Sequence, residues 1–237
     1  MLVRWNLLTS KISKLTLSID MKHYTARPSQ RAFTLIELLV VMVIIGVLAA
    51  ILLPVFGKAK VRSKQTACLS NMKQLAVAFN LFSGENDYDL PGRVNNSGEN
   101  KWPALLYQYT KTTKVFTAPG IEDPKGEDPE LLSNSENKTS FIMNGYNDLG
   151  AYENPDFKIK LVSIESPSNT ILLGMPHAKD GNFYMDYAEG NHTKILNLKA
   201  YGEGSNYVFA DGSARFIKEK DYKPIMWAVD KSYSVPE

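Results

Sequence analysis

Apolar and polar positions divide this chain into two regimes. From Phe33 to Phe56 almost every residue is apolar, with one carboxylate, Glu37, near the start. About 20 apolar residues in a helix cross a bilayer's hydrocarbon core. Only a helix satisfies its own backbone groups in lipid, so the run predicts a membrane-spanning helix over 33–56. Beyond it the pattern changes. Cys68, Met72, Leu75, Phe79 and Phe82 recur at spacings of four and three, one stripe of an amphipathic helix. Ser83-Gly84 reads as its stop. The combined helix, 33–83, is apolar all round in its first part and one-sided in its second, and its stripe is expected to pack on the protein's own sheet. Pro54 and Gly57 are expected to bend or loosen it.

After the helix the signals shorten. Asn95 to Asn100 is a polar loop, and Trp102 to Tyr107 suggests a short helix with proline in its first turn. Gly120 to Lys138 is rich in acids, Pro, Ser and Asn, and reads as a solvated excursion. Thr139 to Tyr146 looks like a strand entering a turn. Ser166 to Asn169 is a turn, and Thr170 to Met175 is a buried strand. The strongest local signal is Asn206–Ala210, Asp211-Gly212, Ser213–Ile217: two strands joined by a tight Asp-Gly turn. The expected fold class is α+β, a long N-terminal helix laid across an antiparallel sheet.

Composition adds little and excludes several classes. The chain has 237 residues, a net charge of +2 and one cysteine. One cysteine makes no internal disulfide, so it does not report the compartment. The lysines are interleaved with acids, as in Lys218-Glu219-Lys220-Asp221, and give no stripe for nucleic acid. No nucleic-acid partner is expected. There is no Gly-x-Ser-x-Gly, P-loop or dinucleotide fingerprint, and no enzyme is expected. His177, Asp180, Asp186, Glu189, His192, Glu203 and Asp211 are the ionisable groups of the second half that could meet. None has a metal-ligand spacing, and all fall in expected loops.

Ala32-Phe33-Thr34-Leu35-Ile36-Glu37-Leu38-Leu39-Val40-Val41 resembles the processing site of type IV pilins and type II secretion pseudopilins. The resemblance implies cleavage by prepilin peptidase between Ala32 and Phe33, N-methylation of Phe33, and an assembly role for Glu37. Ala32 departs from the family, which usually has Gly there. Residues 1–32 are then a leader, with Met21 offering a second start that leaves a short basic leader. Residues 84–237 are an extracytoplasmic head. An ordinary secretory signal has a shorter apolar core and fits less well. Basic residues flank the span on both sides, so the motif, not the charge count, orients it with its N-terminus inside.

Lys64 to Gly92 is similar to a pilin-like group that reads Cys-x-x-Asn-x-Lys-Gln after the helix start, here Cys68, Asn71, Lys73 and Gln74. Val115 to Pro119 resembles that group's second cysteine site, with Ala118 in the cysteine's place. Cys68 is therefore expected to be a small buried apolar residue. The group's late signature, His, nine residues, Asp-Gly, is not matched: Tyr201 stands where the His belongs, and His192 lies upstream. Because secretion pseudopilins often hold Ca²⁺ in a C-terminal loop, Asp180, Asn182, Asp186 and Glu189 form a calcium candidate. The resemblance implies a subunit of a type II secretion pseudopilus or type IV pilus-like filament. Its partners would be prepilin peptidase, other pilin-like subunits, the bacterial inner membrane and the assembly machinery. The alternative is a minor or tip subunit that binds a surface, polysaccharide or secreted substrate through the loop from Glu122 to Lys138.

Overall fold

The computed structural model describes residues 33–93, 101–120, 139–151, 157–177, 183–190 and 192–232. The chain falls into two compact units, Met1–Ala49 and Ala50–Glu237. The expected leader, the polar loop 95–100 and most of the excursion 120–138 lie outside the described residues.

One helix, α1, runs unbroken from Leu35 to Glu85 through Pro54 and Gly57. It passes the expected stop at Ser83-Gly84 by one residue. Asn86 caps it by donating its amide to Phe82 O at 2.7 Å, and Asp87 and Tyr88 turn the chain away through positive φ angles of 52° and 66°. A second helix, α2 (Trp102–Thr110), starts with proline in its first turn. It stops at Lys111, whose backbone is left-handed and whose N–H returns to Tyr107 O.

Five short strands follow: β1 (Ile142–Asn144), β2 (Ile171–Gly174), β3 (Tyr184–Met185), β4 (Gly204–Phe209) and β5 (Ala214–Lys218). They form one sheet in the order β3-β1-β2-β4-β5. The sheet is mixed, not wholly antiparallel as expected, because β3 lies parallel to β1. The chain leaves β2 and crosses back past β1, so it reaches the far edge running in β1's direction. The other pairings are antiparallel.

The β4–β5 hairpin forms where the sequence places it, with a different turn. Only Gly212 has a positive φ, 78°, whereas a two-residue Asp-Gly turn needs two such residues. Phe209 N–H donates to Ser213 O at 2.9 Å, leaving a three-residue loop. Asp211 Oδ1 holds it by accepting from Ser213 N and Oγ.

Both faces of this sheet are buried. On one, Met143, Leu173 and Val208 meet the α1 stripe of Cys68, Met72, Leu75 and Phe79, with Trp102 and Phe116 filling the side. Trp102 stacks on Phe79 at 6.0 Å between ring centres and donates its indole N–H to Phe183 O. On the other face, Ile142, Ile171, Tyr207 and Phe209 are covered by Ile195, Leu196 and Trp227. The short helix α3 (His192–Ile195) and a 3-10 turn, Pro224–Trp227, supply that cover.

Candidate functional site

The N-terminal end of α1 is built from Phe33 to Val41. Thr34 and Glu37 form a reciprocal cap. Glu37 Oε2 accepts from Thr34 N at 2.9 Å and from Thr34 Oγ1 at 2.8 Å, while Glu37 N donates to Thr34 Oγ1 at 3.3 Å. A Thr-x-x-Glu box of this kind satisfies helix donors that have no partner inside the helix. Both Thr34 bonds fall on one carboxylate oxygen. Oε1 receives none among the described residues, so the cap holds the carboxylate beside the start of the helix with one oxygen to spare.

Everything around this cap is apolar and open. Phe33 is 79% exposed, Leu35 80% and Ile36 68%, and the apolar side chains continue exposed to Phe56. Among the described residues α1 is the one helix long and apolar enough to cross a membrane. Ala32, the other half of the expected cleavage pair, lies outside the described residues.

The second set of expected residues sits where α1 meets the sheet. Cys68 is fully buried, with the Tyr201 hydroxyl and the Asn206 amide beside it. Burial is the main cause that pushes its thiol up, which makes it a poor nucleophile. Tyr201, in the place of the signature His, is itself buried, and its phenol is pushed up chiefly by burial. Asn71 donates to Lys114 O at 3.2 Å and Thr117 O at 3.0 Å, tying α1 to the segment before Ala118. Asn206 donates to Gln65 O at 2.9 Å from the middle of β4. Asn71 belongs to the motif read from the sequence. Asn206 reads there only as a strand residue; a buried polar residue between apolar strand positions is the available signal.

The remaining ionisable candidates do not converge. Asp186 is paired with Arg93, whose guanidinium also lies over the Tyr184 ring. Glu203 faces Lys218 at 3.4 Å, and Asp211 is spent on its own turn. His192 opens α3 against Tyr222, with burial lowering its pKa, while His177 is exposed. Glu189 ends a 3-10 turn, Tyr187–Glu189. Of the calcium candidate, Asp180 and Asn182 lie outside the described residues, and Asp186 is committed to Arg93. Among the described residues no three His, Cys, Asp or Glu side chains gather to hold a metal ion.

Comparison with known proteins points to the N-terminal segment. Residues 27–53 match the model of the prokaryotic N-terminal methylation motif. A type IV major pilin protein, PilA, of Myxococcus xanthus strain DK1622 is 50% identical over 60 residues, 25% of this chain and 27% of the relative. The alignment thus spans about a quarter of that relative's length. No solved structure matches the chain. Phe33, Thr34 and Glu37 lie within the matched motif, and a long apolar helix followed by a mixed sheet stands behind them: over its N-terminal segment the chain is similar to type IV pilins.

Proposed function

We propose that the chain is a structural subunit, not a catalytic one, of a membrane-derived filament: a type II secretion pseudopilus or a type IV pilus-like fibre. The observation that carries this reading is the exposed apolar run 33–56 headed by the Thr34–Glu37 cap inside a methylation motif. A helix apolar on all sides needs apolar surroundings on all sides. Lipid supplies them first, and like helices supply them in a filament.

On this reading the precursor inserts with residues 1–32 on the cytoplasmic side and the head outside the cytoplasm. Prepilin peptidase cuts between Ala32 and Phe33, and the new amino group of Phe33 is methylated. The subunit then leaves the inner membrane and packs its helix among others. Glu37 faces the Phe33 ammonium of a neighbour. Opposite charges removed from water as a pair are tolerated far better than either alone. The cap supports this role, because Thr34 occupies Oε2 and leaves Oε1 for the neighbour's ammonium.

Mass spectrometry of the chain from cells with and without the peptidase tests the processing step. The expected mature form begins at N-methylated Phe33. A chain still joined at Ala32–Phe33 in the presence of active peptidase rejects it. Glu37→Ala is expected to insert and be cut normally yet give few filaments, and normal filaments from that variant would count against the ammonium pairing. Composition of sheared filaments separates a major from a minor subunit.

A further inference from the structure

We propose that the neck of α1, residues 57–64, binds the headgroups of anionic phospholipids. The proposal rests on the membrane-spanning reading above and deepens it by naming the lipid class. Between Glu37 and Glu85 the helix carries no Asp or Glu, and its cations are Lys58, Lys60, Arg62, Lys64 and Lys73. Four of these fall between 58 and 64. Residues 57–63 are all exposed, and the buried face of α1 begins only at Gln65. The neck is therefore a stretch of bare helix about 12 Å long at the usual rise per residue. It directly follows the last apolar residues, Val55 and Phe56. A bilayer's polar zone is about 5–7 Å deep on each side, so the neck crosses it with room to spare.

The arrangement of the charges favours a lipid surface over a single protein neighbour. Lys58 and Arg62 are spaced i, i+4, and so are Lys60 and Lys64; the two pairs lie on different sides of the helix. The two sides are nearly opposite, and Lys58 and Lys60, one on each, are both exposed, as a plane of headgroups crossing the helix would require. Within each pair like charges repel, a cost that surrounding anions relieve. Arg62 and Lys64 lean toward the rest of their unit. Arg62 donates to Gln65 at 2.9 Å and lies over the Phe216 ring, while the Lys64 chain packs across Gly120. Lys58 and Lys60 have no hydrogen bond or ion pair among the described residues. By contrast Lys158, Lys160, Lys199 and Lys218 each face a carboxylate. The long stems of Lys58 and Lys60 can lie along apolar surface while their ammonium groups reach phosphate. Attraction of this kind decays within a Debye length and is screened by salt.

The test reconstitutes the full chain into vesicles of mixed phosphatidylglycerol and phosphatidylcholine and measures, with spin-labelled lipid, which headgroup is enriched at the protein. Resistance to alkaline extraction is scored first. The inserted chain is expected to prefer phosphatidylglycerol by about fivefold or more, the increment one lysine supplies at an anionic surface. High salt and the double variant Lys58→Gln, Lys60→Gln are expected to abolish most of that preference without loss of insertion. An inserted chain that takes both lipids equally at low salt overturns the lipid proposal alone. So does a preference that the double variant keeps, or lysine-dependent, salt-sensitive self-association in place of lipid enrichment. A chain that alkaline extraction removes overturns the membrane-spanning reading and this proposal with it.

Discussion

Along α1, residues 38–56 are apolar on every side and, apart from half-buried Ala49, exposed, whereas residues 65–83 bury one stripe and leave most other positions to water. The same backbone element meets two environments. Among the described residues the most apolar stretch is exposed, so hydrophobicity alone did not decide what entered the core. Periodicity did. A stripe at 3.6-residue spacing is matched by the flat face of one sheet; an all-round apolar surface is not. The second region is finished within the monomer, and the first, on the function proposed above, meets its apolar surroundings in lipid and in a filament.

Substitution breaks this comparison most directly. Phe79 is buried and stacked on Trp102, which in turn packs against Phe116. Phe79→Ala is expected to destabilise the fold by about 3–5 kcal/mol, the usual cost of removing a core aromatic. Ile44, 53% exposed in the apolar half, is the control. Ile44→Ala is expected to leave the unfolding midpoint of the detergent-solubilised chain unchanged. Denaturant unfolding followed by near-ultraviolet circular dichroism checks both. Equal effects would mean that the two halves of α1 are not distinct.

The junction of α1 with the segment before Gly120 offers a gain of stability. Asn71 holds Thr117 O, and Lys64 packs across Gly120, so the segment 117–120 runs back along α1 from Asn71 toward Lys64. Ala118 then falls opposite Cys68, and both are fully buried in one cluster. Ala118→Cys is expected to form a disulfide with Cys68 under oxidising conditions, stabilising the fold by about 2–4 kcal/mol. Thiol counting after denaturation reads the bond, and two free thiols would show that the segments are out of register.

Much of this was legible in the sequence. The α1 stripe, the β4–β5 hairpin and the burial of Cys68 all follow from local pattern. Two features were not. β3 has two residues, Tyr184 and Met185, too few for any period to show, and its parallel pairing depends on how the chain returns after β2. The cover over the second sheet face was also missed, although β4 held the signal. Tyr207 and Phe209 alternate with Asn206 and Val208, so both sides of the strand carry large or packed groups. A strand apolar on both faces must be covered twice. At the start of α1, Ala32, Phe33 and Glu37 stand out in sequence as parts of one short motif, whereas the Thr34 cap on Glu37 needed the coordinates. The Asn206–Gln65 bond joins residues 141 apart and needed the fold.

That bond gives a smaller test of the same junction. Asn206 is fully buried and supplies α1 with a donor at Gln65 O, near the first residue of the buried stripe. Asn206→Ala is expected to cost about 0.5–1.5 kcal/mol, the worth of one hydrogen bond, because the Gln65 carbonyl keeps its partner within the helix. Amide hydrogen exchange would localise the loss, with protection falling first around Gln65 to Cys68 and later at Phe79. Uniform loss along the stripe would show that Asn206 anchors no particular end of it.

The smallest expected effect lies at Asp148. Asp148 Oδ2 accepts from Val229 N at 2.6 Å and Asp230 N at 2.9 Å, pinning the C-terminal segment that carries Trp227. Burial outweighs these bonds and the nearby Lys231, so the carboxyl is held above its ordinary range. Above the usual carboxylate value of about 3.9, the folded chain therefore keeps a proton that the unfolded chain has released. The stabilisation this gives is complete below the unfolded value and is lost as pH rises through the folded one. Unfolding free energy is thus expected to fall over that mildly acidic window, by about 1 kcal/mol for each pH unit that separates the folded and unfolded values. Asp148→Asn, which has no proton to release, is expected to remove that decline while its amide oxygen, in the place of Oδ2, keeps both backbone donors. Denaturant titrations at stepped pH compare the slopes. A decline that persists in the variant would assign the pH dependence to another group and leave the Asp148 contact as packing alone.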